Sequence, residues 1–85
     1  MKIIVNGRNI ELTDAIKAFV TEKFKRLETH FDFILEVHVF VGVEKNPRIQ
    51  LNHHAEATVH VHGAVFRLEA ASTDLYASID LLVDK

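Results

Sequence analysis

Apolar residues fall on every second position in three stretches of the chain, which predicts strands with one buried face. The segment LEVHVFVGVE (35–44) has Leu or Val at each odd position of its first nine residues. Residues 50–62 then place alanine and valine on one side and polar side chains on the other, and residues 65–70 repeat the alternation after a turn at Gly63. A fourth strand is predicted by the β-branched run KIIVN (2–6), which the turn signal Asn6-Gly7 closes.

Two other stretches follow the helical period. The first predicts a helix over residues 14–29, with Thr13 as its N-cap and Asp14 in the first turn, where the helix dipole favours an anion. Its apolar face comprises Ile16, Phe19, Val20, Phe24, Leu27 and Phe31.

The second helix closes the chain, and either Ser72 or Thr73 is expected to cap it. Asp80 and Asp84 form a like-charge i,i+4 pair near the negative end of this helix. A helix that ended there would be disfavoured, so we expect the full helix to continue past residue 85.

The order strand, helix, three strands, helix predicts an α+β fold in one domain, residues 1–85. The first helix is a right-handed crossover between two parallel strands, and the next two strands follow as an antiparallel meander. The result is a four-stranded mixed sheet with both helices on one face. The other face is open to water because its residues are polar.

Composition narrows the functional classes. The chain has 85 residues, 48% of them apolar, and no cysteine, so one small domain without disulfides is expected, in the cytoplasm. No stretch approaches the roughly 20 apolar residues of a membrane span. Without cysteine, a Gly-rich phosphate loop or a pocket, the sequence predicts that the protein is not an enzyme and takes no small-molecule substrate.

Six histidines are a high number for 85 residues. On the predicted strand His60 and His62 would point to the same face, with Cβ atoms about 6–7 Å apart, within reach of one metal ion. His54 shares that face, and His38 lies on the neighbouring strand. The alternative, that these are ordinary polar residues of a wet strand, is favoured because a third ligand is not assured. No cofactor is expected to be required, although adventitious zinc or cobalt, bridging two molecules, is compatible with the pattern.

The first helix also carries Lys17, Lys23, Lys25 and Arg26. Lys23 falls in the middle of the apolar arc, so its ammonium is expected in the groove between the two helices. Arg8 and Arg48 add cations in two predicted loops. Cations in such a pattern suit phosphate binding without base readout.

Four segments resemble the short ribosome hibernation promoting factors and their relative, the ribosome-associated inhibitor. The segments are LTDAIKAFVTEKFKRLETHFD (12–32), VHVFVGVEK (37–45), HAEATVHVHG (54–63) and DLYASIDLLVDK (74–85). The resemblance implies the same β-α-β-β-β-α fold, similar to double-stranded RNA-binding domains. It also implies that the closing helix continues into a Lys/Arg-rich stretch.

The resemblance implies a stationary-phase silencer of translation. Such a protein occupies the mRNA and tRNA channel of the small ribosomal subunit, holds rRNA through phosphates and, with ribosome modulation factor, favours inactive ribosome dimers. The family's basic residues correspond to Lys23, Lys25, Arg26 and Lys85. Two alternatives stay open: a histidine-based metal-binding or metal-bridged module, and a protein-interaction domain that uses the open sheet.

Overall fold

The computed structural model describes residues 2–28, 34–46 and 48–83. Its elements are β1 (Lys2–Arg8), α1 (Asp14–Glu28), β2 (Ile34–Val43), β3 (His53–Val61), β4 (Ala64–Ser72) and α2 (Leu75–Val83). The sheet has the order β1-β2-β3-β4, with β1 parallel to β2 and the other pairs antiparallel. The predicted α+β fold is therefore confirmed.

One apolar core joins the sheet to both helices. Its sheet side consists of small and β-branched residues at alternate positions of β2 and β3: Val37, Val39, Val41, Ala55, Ala57 and Val59. Its helix side consists of Ile16, Val20, Phe24, Leu75, Ile79 and Leu82. Apart from the two alanines, these side chains each contribute about 1.5–3 kcal/mol by leaving water, which favours the packing of both helices on the same face.

The predicted start of α1 is confirmed. The Thr13 hydroxyl accepts a hydrogen bond from the amide of Ile16 at 3.2 Å, as an N-cap does. Phe19 and Leu27 are partly buried beside the core, and Asp14 lies in the first turn. Thr29 and Phe31, which the sequence assigned to this helix and its apolar face, lie outside the described residues.

The predicted turn at Asn6-Gly7 is wrong. β1 continues through both residues to Arg8, and the backbone turns at Asn9, which has a φ of 57°. Gly7 faces the core side, where an added Cβ would lie 3.0 Å from Cγ of Leu12. The glycine therefore makes room for the chain that returns into α1, and Arg8 lies in a strand rather than in the predicted loop.

The start of β2 departs from the predicted alternation. Ile34 pairs with Val61 and Glu36 pairs with His60, so Leu35 is an extra residue between them. This bulge reverses the sides: Ile34 is buried, while Leu35 is 57% exposed instead of facing the core.

β3 is shorter than predicted, running from 53 to 61 instead of 50 to 62. The residues before it close the β2–β3 loop, where the amide of Glu44 donates to the carbonyl of Asn52 at 2.7 Å. Asn46 folds the loop further, because its side-chain oxygen accepts the amide of Arg48 at 3.0 Å. His62 lies in the turn before β4.

The cap of α2 is neither Ser72 nor Thr73. Asp74 takes this role, since its carboxylate accepts the amide of Ala77 at 3.1 Å. The Ser72 hydroxyl instead accepts the amide of Asp74 at 3.2 Å and so shapes the approach to the helix.

Candidate nucleic-acid interface

The outer surface of α1 carries a cationic stripe, defined here as Lys17, Thr21 and Lys25. Their i, i+4, i+8 spacing places them one above another along the helix. Both lysines are exposed and border a shallow depression that Ala18 and Glu22 complete. Neither ammonium has an ion-pair partner within the described residues. The stripe therefore offers two solvated ammonium groups to an incoming anion.

Lys25 was among the predicted contact residues, but Lys17 was not. The signal that identifies Lys17 is its position two helical turns before Lys25, with a small polar residue between them. The sequence identified Lys17 as one of the cations of this helix, but the resemblance pointed only to the later residues Lys23, Lys25 and Arg26 as contacts.

Arg26 lies beside the stripe in the last turn of α1. Its guanidinium is 3.6 Å from the Glu22 carboxylate, one turn earlier, and both side chains are exposed. Exposed i,i+4 pairs of this kind are worth about 0.3–0.5 kcal/mol, so the pair with Glu22 adds little to stability.

Lys23 lies in the groove between the two helices, as predicted. Its ammonium is 3.0 Å from the Asp80 carboxylate of α2, and its side chain is only 23% exposed. The same ammonium lies 5.3 Å from the ring centroid of Phe19. Asp80, which the sequence argument left without a cation among the residues before it, is thus paired with a cation of the other helix.

Arg8 lies on the opposite surface of the molecule, the open face of the sheet. Its guanidinium is 5.1 Å from the centroid of the Phe40 ring. The two residues border a groove of about 260 Å³ that His54, Glu44 and Glu56 also line. Because its charges are mixed, this groove does not extend the cationic stripe.

The remaining predicted contact residues do not join the stripe either. Arg48 is exposed in the loop that follows β2, at the end of the sheet where Arg8 also lies, since Arg8 pairs with Gly42. α1 runs back from that end, so Lys25 lies at the other end of the molecule. Lys85 lies outside the described residues. The structure therefore brings together Lys25 and Arg26 and separates them from Arg8 and Arg48.

Two of the described histidines, His38 and His60, are in contact on the open face. The rings of His38 and His60 are 5.3 Å apart, edge to face, and His38 Nε2 is 3.3 Å from the Glu36 carboxylate. His62 lies in the turn beyond the end of β3, and His54 pairs with Gly42 and Ala71 further along the sheet.

No group of three or more His, Cys, Asp or Glu side chains in the described part of the chain is arranged to hold a metal ion. A site built on His60 and His62 would therefore need ligands from elsewhere, such as a second molecule. Among the described residues, no helix is long and apolar enough to cross a membrane.

Comparison with known proteins identifies close relatives across the whole length. The chain is 42% identical over 85 residues to the ribosome hibernation promoting factor of Escherichia coli K12. The aligned region covers 100% of this chain and 84% of that protein. It is 45% identical over 85 residues to the ribosome hibernation promoting factor of Azotobacter vinelandii, covering 100% of this chain and 75% of that protein.

Two solved structures share the fold. A ribosomal subunit interface protein from Coxiella burnetii superposes with a TM-score of 0.86 at 25% identity, over 99% of this chain and 87% of that one. The N-terminal domain of Thermus thermophilus Protein Y superposes with a TM-score of 0.83 at 35% identity, over 99% and 89% of the two chains.

The family model described as sigma 54 modulation protein / S30EA ribosomal protein matches residues 3–85. The resemblance to ribosome hibernation promoting factors is thus confirmed, and the chain belongs to this family.

Proposed function

We propose that this chain is a ribosome hibernation factor. It binds the small ribosomal subunit in the channel for mRNA and tRNA, blocks translation and, acting with ribosome modulation factor, favours inactive ribosome dimers in stationary phase. The observation that carries this proposal is the similarity over the full chain to proteins named ribosome hibernation promoting factor.

The chemistry of the outer surface of α1 supports rRNA as the direct partner. The ammonium groups of Lys17 and Lys25 are exposed, and Arg26 adds a guanidinium at the end of the same helix. Cations on a helix surface bind phosphates and fix the orientation of a protein on RNA without reading its sequence. The net charge of −2 is no obstacle, because binding depends on the local distribution of charge.

Arg8 and Arg48 have a separate place in this proposal. Arg8 lies beside Phe40 on the open face of the sheet and Arg48 in the loop after β2, whereas the stripe lies on the outer surface of α1, on the other side of the sheet. We expect them to contact a second rRNA segment on another side of the channel, rather than the phosphates that the stripe binds.

Sedimentation of purified small subunits through sucrose gradients tests the proposal. The wild-type chain is expected to migrate with the subunits, and the double variant Lys17→Glu/Lys25→Glu to stay at the top of the gradient. Lys25→Glu alone should weaken binding about tenfold, because a repulsive group replaces a phosphate contact.

The matched control for Lys25→Glu is Lys2→Glu, which makes the same change in net charge at an exposed lysine of β1, away from the stripe. It should leave co-sedimentation unchanged. Undiminished binding of the double variant, or an equal loss in the Lys2→Glu control, would contradict a phosphate-binding role for the stripe. A wild-type chain that does not sediment with small subunits would overturn the proposed function itself.

A further inference from the structure

We propose that Lys23 is a positioning residue: its ion pair with Asp80 fixes α1 against α2 and so sets where the cationic stripe meets rRNA, while its own ammonium contacts no phosphate. This inference rests on the proposed function and assigns Lys23 a different part in it from the one that the family resemblance implies.

Four side chains form the contact between the helices, named here the helix clasp: Phe19 and Lys23 from α1, and Tyr76 and Asp80 from α2. The rings of Phe19 and Tyr76 meet edge to face, with centroids 4.8 Å apart. One turn further along both helices, the Lys23 ammonium is 3.0 Å from the Asp80 carboxylate. Both pairs advance by four residues, so the helices run side by side in the same direction.

The Lys23 ammonium already has two partners within the clasp. A carboxylate lies on one side of it and the face of the Phe19 ring 5.3 Å away on another, and its side chain is 23% exposed. To bind a phosphate, this ammonium would have to give up both partners. Lys17 and Lys25 lie on the exposed side of the same helix and have no ion-pair partner among the described residues that a phosphate would have to displace.

The clasp lies close to the binding residues along the chain. Lys25 and Arg26 follow Lys23 directly in the last turn of α1, where a small rotation of the helix moves an extended side chain by several ångströms. Leu27 packs this last turn of α1 against the core, and the charged half of the clasp holds the helix beside α2 one turn earlier.

The sign of the effect of Asp80→Asn distinguishes the two roles of Lys23. If Lys23 bound phosphate, Asp80→Asn would free its ammonium and remove the repulsion between the Asp80 carboxylate and the phosphates of rRNA. The affinity for small subunits would then rise. If the clasp positions α1, Asp80→Asn should weaken binding about threefold to tenfold, and Lys23→Met should weaken it by a similar factor. The double variant Lys23→Met/Asp80→Asn should then be no weaker than either single variant, because both remove the same pair.

Affinity is measured by titration of small subunits, at a temperature where circular dichroism shows every variant to be folded. Lys23→Arg serves as the rescue, since a guanidinium can also pair with Asp80 and lie over Phe19; near wild-type affinity is expected. Tighter or unchanged binding of Asp80→Asn, or additive losses in the double variant, would overturn the positioning role while the wild-type affinity still upholds the proposed function. If the wild-type chain does not bind small subunits, both the positioning role of Lys23 and the proposed function are wrong.

Discussion

Ser78 is a fully buried polar side chain in the middle of α2. Its hydroxyl donates to the backbone carbonyl of His53 at 2.7 Å, and its oxygen lies 2.7 Å from the Ser72 hydroxyl. A single small side chain thus ties α2 to the first residue of β3 and the last residue of β4. The sequence placed Ser78 on a helix but could not reveal these partners, because they come from residues distant along the chain.

Ser78→Ala is expected to lower the free energy of unfolding by about 1–3 kcal/mol, because it leaves buried hydrogen-bonding groups without a partner. Urea denaturation followed by circular dichroism measures the change. The control Thr73→Val removes an exposed hydroxyl between β4 and α2 and should change stability by less than about 0.5 kcal/mol. A loss below about 0.5 kcal/mol for Ser78→Ala would contradict the buried hydrogen bonds. A clear loss for Thr73→Val would show that Thr73 caps α2.

At the scale of the element, β2 shows which features of a strand the alternation predicts and which depend on pairing with the next strand. The strand, its partners and its buried valines follow from the period of two. Its first residues do not, because the bulge at Leu35 shifts the period by one residue, and a bulge depends on how the neighbouring strand pairs. The end of β1 and the start of β3 also depend on residues outside the strand: a Cβ at Gly7 would lie 3.0 Å from Leu12, and Asn52 accepts the amide of Glu44.

Two alanine substitutions at adjacent positions test the bulge. Ile34→Ala is expected to cost about 2–5 kcal/mol, since Ile34 is buried in the core. Leu35→Ala, with a side chain of the same volume removed from an exposed position, should cost less than about 0.5 kcal/mol. Chemical denaturation of both variants measures the difference; a larger loss for Leu35→Ala would restore the uninterrupted alternation and rule out the bulge.

For the whole molecule, the sequence predicted the fold class, the order of elements and the family, since each depends on local pattern or on similarity along the full chain. It also placed Lys23 in the groove between the helices, but it predicted neither the partner of Lys23 nor the positions of the other cations. The pairing of Lys23 with Asp80 and the position of Arg8 over Phe40 arise only when separate elements pack. These four cations therefore occupy three environments: Lys23 is held between the helices, Lys17 and Lys25 lie in the stripe, and Arg8 lies on the open face of the sheet.

This division of cations makes a quantitative prediction about salt. If the stripe binds phosphates, affinity for small subunits falls linearly as salt rises on a double logarithmic plot, and each lost contact reduces the slope by about 0.7–1. Lys25→Gln should reduce the slope by that amount, whereas Lys2→Gln, which removes an exposed charge from β1, should leave it unchanged. Lys23→Met should weaken binding without changing the slope, because its ammonium displaces no ion from rRNA. Equal slopes for Lys25→Gln and the wild-type chain would mean that the stripe faces solvent in the bound state, and the rRNA contact would then have to lie on the sheet side with Arg8 and Arg48.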